Sequence, residues 1–194
     1  MARIEKIHSM SMATEHLSDE DILQEIQAGS HTAFSELVSR HTTRFYHLAY
    51  RYLASKEEAE DIVQTAFLKI WENPFIWKKG GKATFTTWFS RIVINLCLDQ
   101  KKKFKASLVP ENMDMQDDKP SQEQNILAQE KKSFVMAAIN TLPDRQKTAL
   151  ILCFYEDYSQ KEAAQIMKVK IKALESLLMR AKKGLKDQMK AYKI

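Results

Sequence analysis

Apolar residues along this chain recur at steps of three and four, and rarely alternate at steps of two. The pattern therefore predicts helices and almost no strand. The first helix is predicted over "LSDEDILQEIQAG", with Ser18 as N-cap before an acidic first turn and Gly29 ending the run. "SHTAFSELVSRHTTRFYHLAYRYLA" follows, where Phe34, Leu37, Val38, Phe45, Leu48, Ala49 and Tyr52 lie near helical spacing. Ser55 opens "SKEEAEDIVQTAFLKIWENP"; Ser55 and Glu58 have capping-box spacing, and Asn73-Pro74 stops the helix. A loop of lysine and glycine, "WKKGGKAT", leads into a further helix, "FTTWFSRIVINLCLDQKKKFK".

The pattern then breaks. "ASLVPENMDMQDDKPSQEQ" has two prolines and no helical stripe, and carries Glu111, Asp114, Asp117, Asp118 and Glu123 against Lys119. It reads as an acidic linker. Helical spacing resumes at "NILAQEKKSFVMAAINTL" and continues through "DRQKTALILCFYED", "SQKEAAQIM" and "KVKIKALESLLMRAKKGL". In the last of these Ile171, Leu174, Leu178, Ala181 and Leu185 form the apolar stripe. The predicted fold is all-α: a loose arm over 1–16, a helical domain over 17–105, a flexible acidic linker over 106–124, and a second helical domain over 125–194.

Composition agrees with that reading. A chain of 194 residues with 44% hydrophobic content can build one or two cores, and only 4 glycines and 4 prolines leave little to punctuate a sheet. The net charge is a mild +5, but its distribution is uneven. From Lys168 onward nine Lys or Arg face two acids, Glu175 and Asp187, leaving +7 at the C-terminal end. Such an end suits nucleic acid or another anionic surface, and equally a solubilising tail. Cys97 and Cys153 are far apart in apolar helical surroundings, without ligand spacing, so a reduced, cytoplasmic compartment and no metal are expected. The longest apolar run, "ALILCFY", is too short to insert in a membrane. The first residues lack the apolar stretch of a signal peptide.

Three polar stripes exceed what core packing asks for. On the helix at 56–72, Asp61, Gln64, Thr65 and Leu68 share one face opposite the core side. An acid, an amide and a leucine there suit docking against another helix, or a solvated face with one stray leucine. On the helix at 85–103, Trp88, Arg91, Asn95 and Lys102 line one side, beside Lys78, Lys79 and Lys82 of the loop. Cations for phosphates, an aromatic for stacking and an amide for a base edge are the parts of a single-strand binding surface; Trp88 could also serve the core. The third stripe lies in "SQKEAAQIMKVKIKALESLLMRAKKGL". A short helix with Ala163 and Ala164, a turn at Lys168–Lys170 and a long basic helix have the layout of a helix-turn-helix, or of a plain helical hairpin. Lys172, Ala173, Glu175, Ser176, Met179 and Arg180 fall off its apolar stripe. There Arg can read guanine and Glu can accept from cytosine, while lysines hold phosphates.

Together "AEDIVQTAFLKIWENP", "FTTWFSRIVINLCLDQKKK", "INTLPDRQKTALILCFYEDYSQKEAAQIM" and "ALESLLMRAKKGL" resemble a bacterial RNA polymerase sigma factor of the extracytoplasmic-function (ECF) group, over about residues 19 to 186. The resemblance implies partners: the β′ and β subunits of the RNA polymerase core, promoter DNA, and an anti-sigma factor that buries both domains. It implies that Asp61 and Gln64, with Leu68 on the same stripe, dock on the β′ coiled coil. The Lys78–Thr84 loop and Asn95 would capture a flipped base of the −10 strand, with Lys78, Lys79, Lys82, Trp88, Arg91 and Lys102 alongside. The 160–183 segment would read the −35 element through Lys170, Lys172, Ala173, Glu175, Ser176, Arg180, Lys182 and Lys183. The linker would thread the polymerase toward its active and exit channels. The chain departs from the family pattern at Lys168 and Lys170, where Gly and a Ser cap are usual, and at Leu177, where Arg is frequent.

No cofactor is expected, and no enzyme motif stands against this reading. The one Glu-x-x-His, Glu5 to His8, falls in the arm, and "EEAED" is a helix start, where the dipole favours carboxylates. A stand-alone helix-turn-helix regulator is the alternative. It would need neither the Asp61–Leu68 stripe nor the basic loop before Trp88.

Overall fold

The computed structural model describes residues 17–77, 83–107 and 135–191. Among them the regular structure is helical and contains no strand. The chain divides between residues 97 and 98 into two compact units. The expected arm and most of the expected linker lie outside the described residues, as do residues 125–134 and the loop lysines Lys78, Lys79 and Lys82.

The N-terminal unit contains α1 (Asp19–Gln27), α2 (His31–Leu53), α3 (Lys56–Glu72), a 3-10 turn (Pro74–Ile76) and the first half of α4 (Phe85–Ser107). Each helix starts on a hydroxyl acceptor. Ser18, Ser30 and Ser55 accept from the backbone N–H groups of Asp21, Ala33 and Glu58 at 3.2, 3.2 and 3.3 Å. Thr84 does the same for Thr87 at 3.3 Å. These bonds satisfy donors that a helix start otherwise leaves open. Helix α1 ends in a Schellman turn at Gly29. Its φ is +90°, its N–H donates to Ile26 O, and Ser30 N–H donates to Glu25 O. Ser30 then caps α2, so the residue that ends the turn also starts the next helix, and only three residues separate Gln27 from His31.

Phe89 is the hub of this unit. Its ring lies 4.6 Å from Phe45 of α2, 4.8 Å from Phe67 of α3 and 5.2 Å from Phe85. Ile22, Leu23 and Ile26 of α1 are buried in the same unit. A polar clamp fixes the start of α1: Arg40 meets Asp19 and Glu36 at 3.1 Å, and His41 Nε2 lies 2.9 Å from Asp19 Oδ2. Burial pushes the Asp19 carboxyl upward, but His41 and then Arg40 outweigh it and hold it below its ordinary value.

The C-terminal unit contains helical residues 135–140, α5 (Asp144–Phe154), α6 (Gln160–Ile166) and α7 (Ile171–Ala191). Ile139, Leu142, Leu150 and Ala181 form a buried cluster with Val135, Met136, Tyr155 and Leu185 against it. Gly184 lets α7 come close: a Cβ there would sit 3.1 Å from a methyl of Leu142. Lys147 is fully buried on α5 and its ammonium donates to Asn140 Oδ1.

Candidate polymerase-docking and promoter-binding surfaces

The stripe on α3 is positioned by the core on its opposite side. Ala59, Ile62, Val63, Ala66, Phe67 and Ile70 are buried, while Trp71 is half-buried against His31 and Phe34. Asp61, Gln64 and Thr65 are exposed, and Leu68 keeps 51% of its surface open. The helix therefore offers a continuous acid–amide–apolar strip, held rigidly from behind.

The surface on α4 is more graded. Trp88 is half-buried, with its ring 5.2 Å from Trp77 and 6.0 Å from Phe85. It is both a structural residue and a partly open one. Arg91 is half-buried, Asn95 is exposed, and exposed Lys102 lies 3.6 Å from Asp99. Trp88, Arg91, Asn95 and Lys102 follow one side of the helix. The three loop lysines expected to join them lie outside the described residues.

Helices α6 and α7 form the helix-turn-helix. Ala163, Ala164 and Ile166 of α6 and Leu174, Leu178 and Ala181 of α7 are buried. Small side chains at the crossing let the helices approach. Helix α6 begins with a full capping box: Ser159 Oγ accepts from Glu162 N–H, and Glu162 Oε2 accepts from Ser159 N–H at 2.9 Å. This Ser-x-x-Glu signal is in the sequence and escaped the pattern reading. Helix α6 closes in a second Schellman turn, with Lys168 N–H donating to Gln165 O and Val169 N–H to Ala164 O. Lys168 occupies the left-handed position at φ +50°, where glycine is usual. Lys170 holds the start of α7 through its carbonyl, which accepts from Ala173 and Leu174 N–H. Its ammonium has no acceptor to offer a helix N-terminus.

Off the buried stripe of α7, Lys172, Ala173, Glu175, Ser176, Arg180, Lys182 and Lys183 are all exposed, as is Lys170 before it. They do not form a single face. Lys172, Ala173, Ser176, Arg180 and Lys183 cluster opposite the core. Glu175 and Lys182 turn toward the flank that meets α5, and Lys182 Nζ sits 4.8 Å over the exposed Phe154 ring. With Met179, these residues line a groove of about 590 Å³. Ser176 donates to Lys172 O at 2.9 Å, so part of its hydrogen-bonding capacity is spent within the helix. One expectation is corrected: Ile171 is not part of the buried stripe, being 47% exposed. It is the first helical residue, where a side chain directed toward the N-terminus has no preceding turn of the same helix to cover it.

Cys97 is buried and Cys153 half-buried, and burial pushes the Cys153 thiol up, away from a reactive thiolate. No group of three or more metal-ligating side chains gathers among the described residues. None of the described helices is long and apolar enough to cross a membrane.

The sigma-70 region 2 profile matches residues 37–106, and the sigma-70 region 4 profile matches residues 135–185. Two regions of one family thus follow each other in order, covering more than half of the chain. The chain belongs to the ECF group of sigma factors. SigW of Bacillus subtilis is 26% identical over 87% of this sigma factor and 95% of SigW. The sigma-E factor of Haemophilus influenzae is 27% identical over 90% of this chain and 97% of its own. SigE of Mycolicibacterium smegmatis is 29% identical, and there the match spans 62% of the relative's length. Among solved structures, CnrH in complex with the cytosolic domain of CnrY has the same fold at TM-score 0.67 and 21% identity, covering 89% of this chain and 97% of that one. RpoE of Bartonella quintana, in complex with the anti-sigma factor NepR, gives 0.61 and 23%, over 81% and 96%. As a sigma factor the protein is a transcription initiation factor, not an enzyme, and its partners are RNA polymerase and promoter DNA.

Proposed function

We propose that this sigma factor docks on core polymerase through Asp61, Gln64 and Leu68, takes an unpaired −10 base on the α4 face, and reads the −35 element with α7. Arg91 and Asn95 contact the melted strand beside Trp88, with Lys78, Lys79, Lys82 and Lys102 on its phosphates. Ser176 and Arg180 face −35 bases, with Ala173 one turn before Ser176 and Glu175 at their edge. Lys170, Lys172, Lys182 and Lys183 supply phosphate contacts. In domain terms, residues 17–105 serve the polymerase and −10, residues 125–194 serve −35, and 106–124 link them. The protein works in the cytoplasm and is held in check by an anti-sigma factor, as CnrH and the Bartonella RpoE are found in complexes of their own.

The observation that carries this reading is the exposed strip Asp61–Gln64–Leu68 on a helix whose other side is fully committed to the core. A stand-alone duplex-binding regulator has no use for it. Run-off transcription with core polymerase and genomic fragments should give discrete transcripts only when the protein is added. Asp61→Ala with Gln64→Ala should abolish them by weakening core association, with the helical content unchanged. Tight binding to duplex DNA without polymerase, and no transcripts with it, would favour the regulator instead.

A further inference from the structure

Helix α1 precedes the residues 37–106 that match the region 2 profile, and none of its side chains belongs to the docking strip or the promoter surface. Both of its ends are nevertheless tied by polar contacts that lead to the first turn of α4. At its start, Asp19 meets Arg40 and lies 2.9 Å from His41 Nε2, and Arg40 also donates to Leu17 O at 2.9 Å. The buried His41 ring lies 5.0 Å from Phe85, the first residue of α4. At its end, Gln27 Nε2 donates to Pro74 O at 3.0 Å and to Trp77 O at 3.2 Å, so one amide holds both sides of the 3-10 turn. The Trp77 ring then lies 5.2 Å from Trp88 and 6.4 Å from Phe85.

The end at Gln27 bears on the promoter surface. Trp77 is 6% exposed, and its indole N–H has no acceptor among the described residues. The ring is therefore placed by packing and by its own backbone, with no polar anchor of its side chain. Pro74 fixes its own φ, and Ile76 N–H donates to Asn73 O, so the turn is stiff. A stiff turn carries its ring wherever it is pinned. Gln27 pins it at two carbonyls, 47 and 50 residues away in sequence. Trp77 passes that placement to Trp88 through an edge-on ring contact. Trp88 is half-buried, so a shift of Trp77 alters how much of its ring is presented. Cohesion does not depend on the amide, because buried Ile22, Leu23 and Ile26 already hold α1 to the unit. What Gln27 adds is position.

We infer that Gln27 is a positioning residue for the promoter surface: its amide sets Trp77, and through it Trp88, in the orientation that meets the melted strand. The inference rests on the reading of α4 as the surface for that strand. Gln27 itself touches no DNA. A side chain already held in its bound orientation loses less freedom on binding, so the effect falls on affinity for melted DNA. Polymerase docking, which uses a strip on α3, is left alone.

The test compares Gln27→Met, which keeps the length and removes the donor, with Gln27→Lys, which keeps a donor at this half-buried position. Near-UV circular dichroism of the full chain reads the packing of Trp77 on Trp88, and far-UV circular dichroism reads the helices. Holoenzyme assembled from the full chain and core polymerase is then titrated with a fork-junction DNA. Its −10 segment is single-stranded and built on a promoter found by run-off transcription. Gln27→Met should change the near-UV signal and weaken fork binding about fivefold, with helical content and core affinity unchanged. Gln27→Lys should recover most of both losses. An unchanged near-UV signal or unchanged fork binding in Gln27→Met overturns the inference. So does an equal fall in core and fork affinity, which marks a general loosening of the unit. So does a loss that Gln27→Lys leaves unrecovered, which assigns it to packing and not to the donor. Trp88→Ala separates the two levels. If it leaves fork binding intact, the reading of α4 has failed and the role of Gln27 with it. If it weakens fork binding and Gln27→Met does not, only the positioning role has.

Discussion

Lys168 and Lys170 flank a turn where this sigma factor forgoes the residues that local geometry prefers. Lys168 stands in a left-handed conformation that costs an L-residue about 1–2 kcal/mol. Lys170 stands where a side-chain oxygen would add about 1 kcal/mol. Both ammonium groups are exposed beside the helix proposed to enter DNA. Lys170→Ser should therefore raise the stability of the full chain by about 1 kcal/mol in calorimetry while weakening promoter binding by holoenzyme. A stability gain with no loss of binding would mean that the lysine does nothing for DNA. Asp19 carries a different charge effect. At the first turn of α1 it gains from the helix dipole as well as from His41 and Arg40. Its depressed carboxyl contributes stability that is complete above its ordinary value of 3.8 and is lost as pH falls through the lower folded value. Asp19→Asn should lose about 1 kcal/mol at pH 5–7, after allowance for solvent screening. Urea melts in an acid series should show the gap from wild type closing below 3.8. A gap that widens there would refute the ionic role.

At the scale of elements, the helices themselves were legible because their signals are local. Ser18, Gly29, Ser55 and Asn73-Pro74 each act within a turn of the boundary they set, and the structure places those boundaries at Asp19, Gln27, Lys56 and Glu72. Features set by distant neighbours were not legible. Nothing in "DRQKTAL" marks Lys147 as fully buried, because its partner Asn140 belongs to the preceding helical segment. Nothing in "NPFIW" distinguishes the exposed Phe75 from the buried Trp77, because Gln27, some fifty residues earlier, decides the turn. On α7 the sequence supplied a set of polar positions, and the structure divides that set. Lys182 sits over Phe154, where an exposed cation–π contact is worth about 0.5–1 kcal/mol, while Lys183 lies opposite the core with Arg180. Lys183→Ala should flatten the salt dependence of promoter binding by about one unit, and Lys182→Ala by less. Equal slopes for the two variants would show that Lys182 leaves the Phe154 ring and engages phosphate as fully as Lys183 does.

At the scale of the molecule, the two compact units are proposed to carry separate tasks on one promoter, and their energies should then combine accordingly. Asn95 belongs to the N-terminal unit, proposed to take the unpaired −10 base, and Arg180 to the C-terminal unit, proposed to read duplex at −35. Asn95→Ala should leave the initial duplex complex nearly intact and reduce open complex, seen as lost permanganate reactivity of the melted strand. Arg180→Ala should relax preference at one −35 base pair, a change of about 1–3 kcal/mol between right and wrong bases. Acting on separate parts of the promoter, the two changes should combine in the double variant as the product of the single losses of open complex, within about 0.5 kcal/mol. A double variant much better than that product would mean that −35 reading and −10 capture are alternative footholds. One much worse would mean that each unit depends on the other to seat itself, so that promoter recognition is cooperative across the whole chain.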